Sequence, residues 1–143
     1  MPIKSFRGVI ANNAIDTISL HTIDGSTGYR VIKFRLLPTI PNTGNYETVV
    51  KIYSVPQTTA SNTIDFSDQT LLAAGTYSQQ ADTRYYPDDI NVIFDNMTFN
   101  QDIFITHVND SAVAINYYIE LEQVKLDLNE NTVATLKDIR NVA

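Results

Sequence analysis

A chain of 143 residues with a formal net charge of −6 has the length of one domain, and such a chain buries roughly two thirds of the surface its unfolded form exposes. It contains no cysteine, which excludes disulfides, thiolate nucleophiles and cysteine-containing zinc arrangements. The acidic balance argues against general nucleic-acid binding, which needs clustered Lys and Arg to displace counterions from phosphates. No apolar run reaches the ~18 residues of a membrane-spanning helix.

The opening "MPIKSFRGVI" has no long apolar stretch behind its charges and does not read as a secretory signal. It forms a possible arm over 1–10, carrying Lys4 and Arg7, that runs into a strand from Ser5 to Ile10. Alternating apolar residues, β-branched side chains and turn punctuation then recur along the chain. They predict strands at Ile15–Thr22, Tyr29–Leu37, Thr48–Val55, Thr70–Tyr77, Asn91–Phe94, Asp102–His107 and Ile115–Leu128. Asp24-Gly25 and Gly28 mark one turn, and Pro38, Pro41 and Gly44 bound the next loop. The segments "PQTTASN" (56–62) and "SQQADTRYYPDD" (78–89) read as exposed connections.

In "YRVIKFRLLP", parity puts Ile32, Phe34 and Leu36 on one face and Val31, Lys33 and Arg35 on the other; in "TVVKIYSV", Val50 and Ile52 alternate with Lys51 and Tyr53. About eight such strands predict one all-β domain over 1–143, a two-sheet antiparallel sandwich of jelly-roll or Greek-key type. In "NYYIELEQVKLDLNENT" the apolar parity changes: Tyr117, Ile119 and Leu121 share one phase, Val124, Leu126 and Leu128 the other. A β-bulge near Glu122-Gln123 would restore inward pointing for both halves; the alternative is a strand that leaves its sheet to pair with another surface. Beyond it, Val133, Leu136 and Ile139 are spaced by three, which predicts a short amphipathic helix over 130–143, capped near Asn129 or Asn131.

Charge is uneven. Residues 1–51 hold six cations against three carboxylates, a net of +3, which leaves −9 for the remainder. This is either a solvated surface of uneven composition or a basic side that docks on an acidic partner.

Reactive constellations are sparse. His21 and His107 each lie in a predicted strand, without G-x-S-x-G or H-E-x-x-H around them. Asp127, Asn129, Asn131 and Asp138 occupy positions 1, 3, 5 and 12 of a calcium-loop count, but position 6 is Thr132 and the preceding segment reads as strand. The cluster "DNMTFNQD" (95–102) reads as a turn. No catalytic, cofactor or metal residues are therefore assigned. The pair Tyr85-Tyr86, before Pro87, is a candidate aromatic anchor for a protein partner or a sugar.

The segments "SFRGVIANNAIDTI", "TGYRVIKFRLLP", "TIDFSDQTLLAAGTY", "IFDNMTFNQDIFITH" and "NYYIELEQVKLDLNENTVATLKDIRN" resemble small virion structural proteins of marine tailed bacteriophages, including phages of cyanobacteria. The resemblance spans nearly the whole chain and contains no catalytic signature. It implies a particle component without enzymatic activity, assembled in the host cytoplasm and present in many copies. One expectation is a capsid decoration or cement protein bound to the major capsid protein or other virion proteins, as a homo-oligomer without nucleic acid or membrane, with Lys4 and Arg7 in its docking side. The other is a tail or fibre-associated module recognising host surface glycans, with Tyr85 and Tyr86 as contacts, or adapting other tail proteins.

Overall fold

A computed structural model of the protein describes residues 2–20, 26–40, 46–79, 88–94, 97–110 and 113–126. Among these lie eight strands: β1 (Ile3–Ile10), β2 (Ile15–Ile18), β3 (Thr27–Pro38), β4 (Tyr46–Tyr53), β5 (Leu71–Gln79), β6 (Asp88–Ile93), β7 (Ile103–Asn109) and β8 (Ile115–Lys125). Each overlaps a stretch where period-two patterning predicts a strand, although Ser78–Gln79 and Asp88–Asp89, expected in an exposed connection, belong to β5 and β6. The helix expected over 130–143, the Asp24-Gly25 turn, His21, the Tyr85-Tyr86 pair and the calcium-loop count from Asp127 lie outside the described residues.

All ladders are antiparallel. One sheet has the order β1-β8-β3 and the other β2-β7-β4-β5-β6. The nested pairs β1·β8, β2·β7 and β4·β5 are those of one long hairpin wrapped over itself, which is how a jelly roll places its strands on two sheets. The deviation is β6, which adds to the free edge of β5 rather than forming a ladder with β3. The result is a sandwich of three strands on five.

The inner faces meet in one apolar core, where Ile10, Val31, Phe34, Ile52, Phe99, Ile103, Ile105, Ile115, Ile119 and Leu121 are each at most 1% exposed. The sheets approach closely at Gly75. A Cβ there would stand 2.9 Å from Phe34 Cε2 and 3.2 Å from Leu36 Cδ1, both on the facing sheet, and 2.5 Å from Asn91 Oδ1. Glycine is thus required by space, not by backbone torsion.

The bulge is not where parity suggested. The register of β3 against β8 shifts between Val31 and Lys33, opposite Leu121 and Glu120, so the extra residue, Ile32, belongs to β3. Against β1 the register of β8 is continuous through Glu122. The phase change in β3 explains why Val31 and Phe34 are both buried while Lys33 and Arg35 are exposed, whereas simple alternation set Val31 outward. A bulged strand bends and twists more strongly, which helps the longest strand follow the core.

A second correction concerns β4 and β5. Lys51 is only 2% exposed and Tyr53 8%, although parity puts both on the outer face of their sheet. Residues 54–70, which join β4 to β5, fold back over that face. Tyr53, Leu71 and Ala74 form a small apolar cluster there, with Phe94 packed against it. Strands buried on both sides lose alternation, as the run of buried residues from Leu71 to Gly75 shows.

Candidate interaction surface

The outer face of the three-stranded sheet is open, and its side chains stand in rows set by the register. Val9, Asn116 and Leu37 form one row; Arg7, Tyr118 and Arg35 the next; Ser5, Glu120 and Lys33 the third; Ile3, Glu122 and Arg30 the fourth. Val9 is 57% and Leu37 60% exposed, while Arg7, Lys33 and Arg35 are all exposed. The first two rows line an open groove of about 690 Å³.

The carboxylates on this face are engaged, and its other cations are not. Glu122 pairs with Arg30 at 3.1 Å, and Glu120 Oε2 accepts the Tyr118 hydroxyl at 2.6 Å. That bond raises the Tyr118 pKa, because the adjacent carboxylate opposes a phenolate. Among the described residues, Arg7, Lys33 and Arg35 have no carboxylate partner. Tyr118 leans toward Glu120, away from the row of Val9, Asn116 and Leu37. Beneath this face, on the core side, the Tyr117 ring lies against Gly8; a Cβ on Gly8 would meet the Tyr117 hydroxyl at 2.8 Å. Burial first, and then the neighbouring Asp16 that accepts its hydroxyl at 3.3 Å, push the Tyr117 phenol up to about 12.

Lys4 and Arg7, expected together on a docking side, occupy opposite faces of β1. Arg7 joins the groove. Lys4 sits 5.6 Å from the centroid of the Tyr29 ring and contacts its hydroxyl at 3.5 Å. Lys33 and Arg35 lie on the outer face as parity foretold. Tyr118, Asn116, Val9 and Leu37 were not singled out by sequence, because the rows exist only once β8 is known to lie between β1 and β3.

The buried ionisable groups have structural partners. His107 is fully buried on β7, and its Nδ1 lies 3.1 Å from the carbonyls of Ile10 and of Ala11. Both acceptors require the ring to donate there, which makes it the neutral Nδ1–H tautomer. Nε2 is buried without a partner among the described residues, and burial lowers the His107 pKa. Backbone bonds join the same places: Asn13 N–H donates to His107 O at 2.8 Å and His107 N–H to Ala14 O at 3.2 Å. His107 therefore clamps the turn that carries the chain from one sheet to the other, a turn in which Asn13 adopts φ 60°. Asparagine tolerates that left-handed region better than most residues.

Lys51 donates its ammonium to the Thr63 carbonyl and lies 5.5 Å from the Tyr53 ring centroid. Burial lowers its pKa, and the carboxylate of Asp68 partly offsets this. Asp102, from the acidic cluster, accepts the Leu20 N–H at 2.8 Å. Among the described residues no three His, Asp or Glu side chains converge as a metal site would require, and no helix is long and apolar enough to cross a membrane. No protein-family model matches the chain, and no curated protein matches it.

Proposed function

We propose that the protein is a non-enzymatic virion structural component, a decoration or cement protein that binds the outer capsid shell of a tailed phage. The observation that carries this reading is the open outer face of the three-stranded sheet, where Arg7, Lys33 and Arg35 lack carboxylate partners among the described residues and stand beside exposed Val9 and Leu37. Unpaired guanidinium groups around apolar side chains suit a protein interface with an acidic neighbour, since charge complementarity steers association and apolar burial holds it. The sequence resemblance to virion proteins and the jelly-roll strand order support the same reading, as does the use of the His107 ring and the Lys51 ammonium in holding the backbone. The mechanism is mass action: a ligand that binds only the assembled shell stabilises it.

The test is the protein's copy number in purified virions, measured by gel densitometry against the major capsid protein. A shell component scales with the capsid protein; a count matching tail proteins removes the decoration reading. The second reading, a tail module that recognises host glycans, draws on the same groove, where Tyr118 stands between Arg7 and Arg35 in one cross-strand row. A glycan array rich in carboxylated sugars would favour it if binding were lost with Tyr118→Ala.

A further inference from the structure

The sandwich carries a second exposed apolar feature on its opposite side. In the segment that covers the five-stranded sheet, Phe66 is 55% and Ile64 38% exposed. The Asp68 N–H donates to the Asp65 carbonyl at 3.1 Å, closing a β-turn with Phe66 and Ser67 at its tip. Each aspartate fixes its own neighbourhood: Asp65 Oδ1 accepts the N–H and hydroxyl of Ser67 at 2.9 and 2.6 Å, and Asp68 Oδ1 those of Thr70 at 2.9 and 2.6 Å. From below, Phe94 meets the Phe66 ring edge-on at 5.1 Å. Phe66 is thus a supported apolar knob between two carboxylates.

The groove on the other side has the inverse chemistry: apolar edges at Val9 and Leu37, with Arg7 and Arg35 in the adjacent row. Neighbouring strands are spaced by about 4.8 Å, which sets the two arginine backbones roughly 10 Å apart, within reach of two carboxylates at the base of one turn. We propose that the Ile64–Asp68 turn of one copy seats in the groove of a second copy, with Phe66 between Val9 and Leu37 and with Asp65 and Asp68 facing Arg7 and Arg35. A small anion would leave Val9 and Leu37 in water; this occupant covers them. Knob and groove lie on opposite sides of the sandwich, so one molecule cannot fill its own groove. The contact is heterologous and generates rings or head-to-tail chains. A single turn buries little area, so association of free copies is weak, and it strengthens where copies are already arrayed, because tethering raises their effective concentration. The inference gives the two groove rows to a second copy and leaves the Lys33 row of the same face for the shell, and it holds whichever part of a particle the protein occupies.

Sedimentation of the full chain over a concentration series at low salt tests it. The mass average should rise with concentration and fall as salt is added. The double variants Arg7→Glu/Arg35→Glu and Asp65→Lys/Asp68→Lys should each weaken association at least roughly tenfold; the arginine pair should melt as the wild type does, while the aspartate pair, which also loses the bonds to Ser67 and Thr70 and the carboxylate facing Lys51, should melt lower. Mixing the two variants should restore association, because each mixed contact again opposes unlike charges. A wild-type chain that stays monomeric up to millimolar concentration overturns the proposal. So does a pair of variants whose mixture associates no better than either alone. Phe66→Ser separates the knob from its charges: it too should abolish association, and a variant that still associates like the wild type excludes this seating.

Discussion

The two outer faces of the sandwich began with similar sequence patterns and came to opposite ends. On the three-stranded sheet, Lys33 and Arg35 alternate with buried Phe34 and Leu36 and remain exposed. On the five-stranded sheet, Lys51 alternates with buried Val50 and Ile52 and is itself buried. Nothing in the strands separates the two cases. The difference is the 54–70 connection, which folds over one face and gives Lys51 the Thr63 carbonyl as an acceptor. A lysine in a strand therefore reports solvent only when nothing returns to cover it.

Substitutions in matched pairs sharpen this contrast. The largest effect is expected inside the sandwich: Phe34→Ala should cost about 3–5 kcal/mol through lost burial and a residual cavity, whereas Arg35→Ala, one residue along the same strand, should stay within about 0.5 kcal/mol. Chemical denaturation reads both, and similar costs would break the assignment of inner and outer faces. Next is the lysine pair. Lys51→Ala leaves the Thr63 carbonyl without its donor and should cost about 1–3 kcal/mol, while Lys33→Ala should be nearly neutral; equal effects would mean that the 54–70 cover does not bury Lys51 in solution.

A pH series probes the clamp between the sheets. The His107 pKa is lowered from 6.5 in the folded chain by burial, so the unfolded chain binds more protons below that value. Stability should be full above pH 6.5 and decline as pH falls through it; His107→Gln, which keeps an N–H donor but cannot titrate, should flatten this part of the curve. Tyr117 gives the alkaline counterpart. Its phenol is held at about 12 rather than 10.0, so stability should drop as pH rises from 10 to 12, and Tyr117→Phe should make that drop smaller. Apart from the neutral controls, the smallest effect is expected from Phe66→Ala, whose edge-on contact with Phe94 is worth about 0.5–1.5 kcal/mol; a larger loss would make Phe66 part of the cover's own packing instead of an exposed knob.

Much of the architecture was legible in the chain. Period-two patterning identified all eight strands, because burial on one side of a pleated strand selects apolar residues at every second position. It also set Lys33 and Arg35 outward. It misplaced Val31, since Ile32 is an inserted residue in β3 and a bulge inverts parity without any residue type to announce it. The parity change in β8 was visible, but the register irregularity lay on the partner strand.

What the sequence determined by itself was a two-layer β fold with the eight strands seen among the described residues, a basic first third, and buried positions spaced for two packed faces, all consequences of local alternation and composition. Tertiary structure alone decided which residues share a surface. Arg7, Tyr118 and Arg35 are far apart along the chain and form a row because β8 pairs with β1 on one side and β3 on the other. Lys4 and Arg7, three residues apart, fall on opposite faces for the same geometric reason. Pairing between distant strands is set by the packing of the whole core, and no short stretch of residues contains that information.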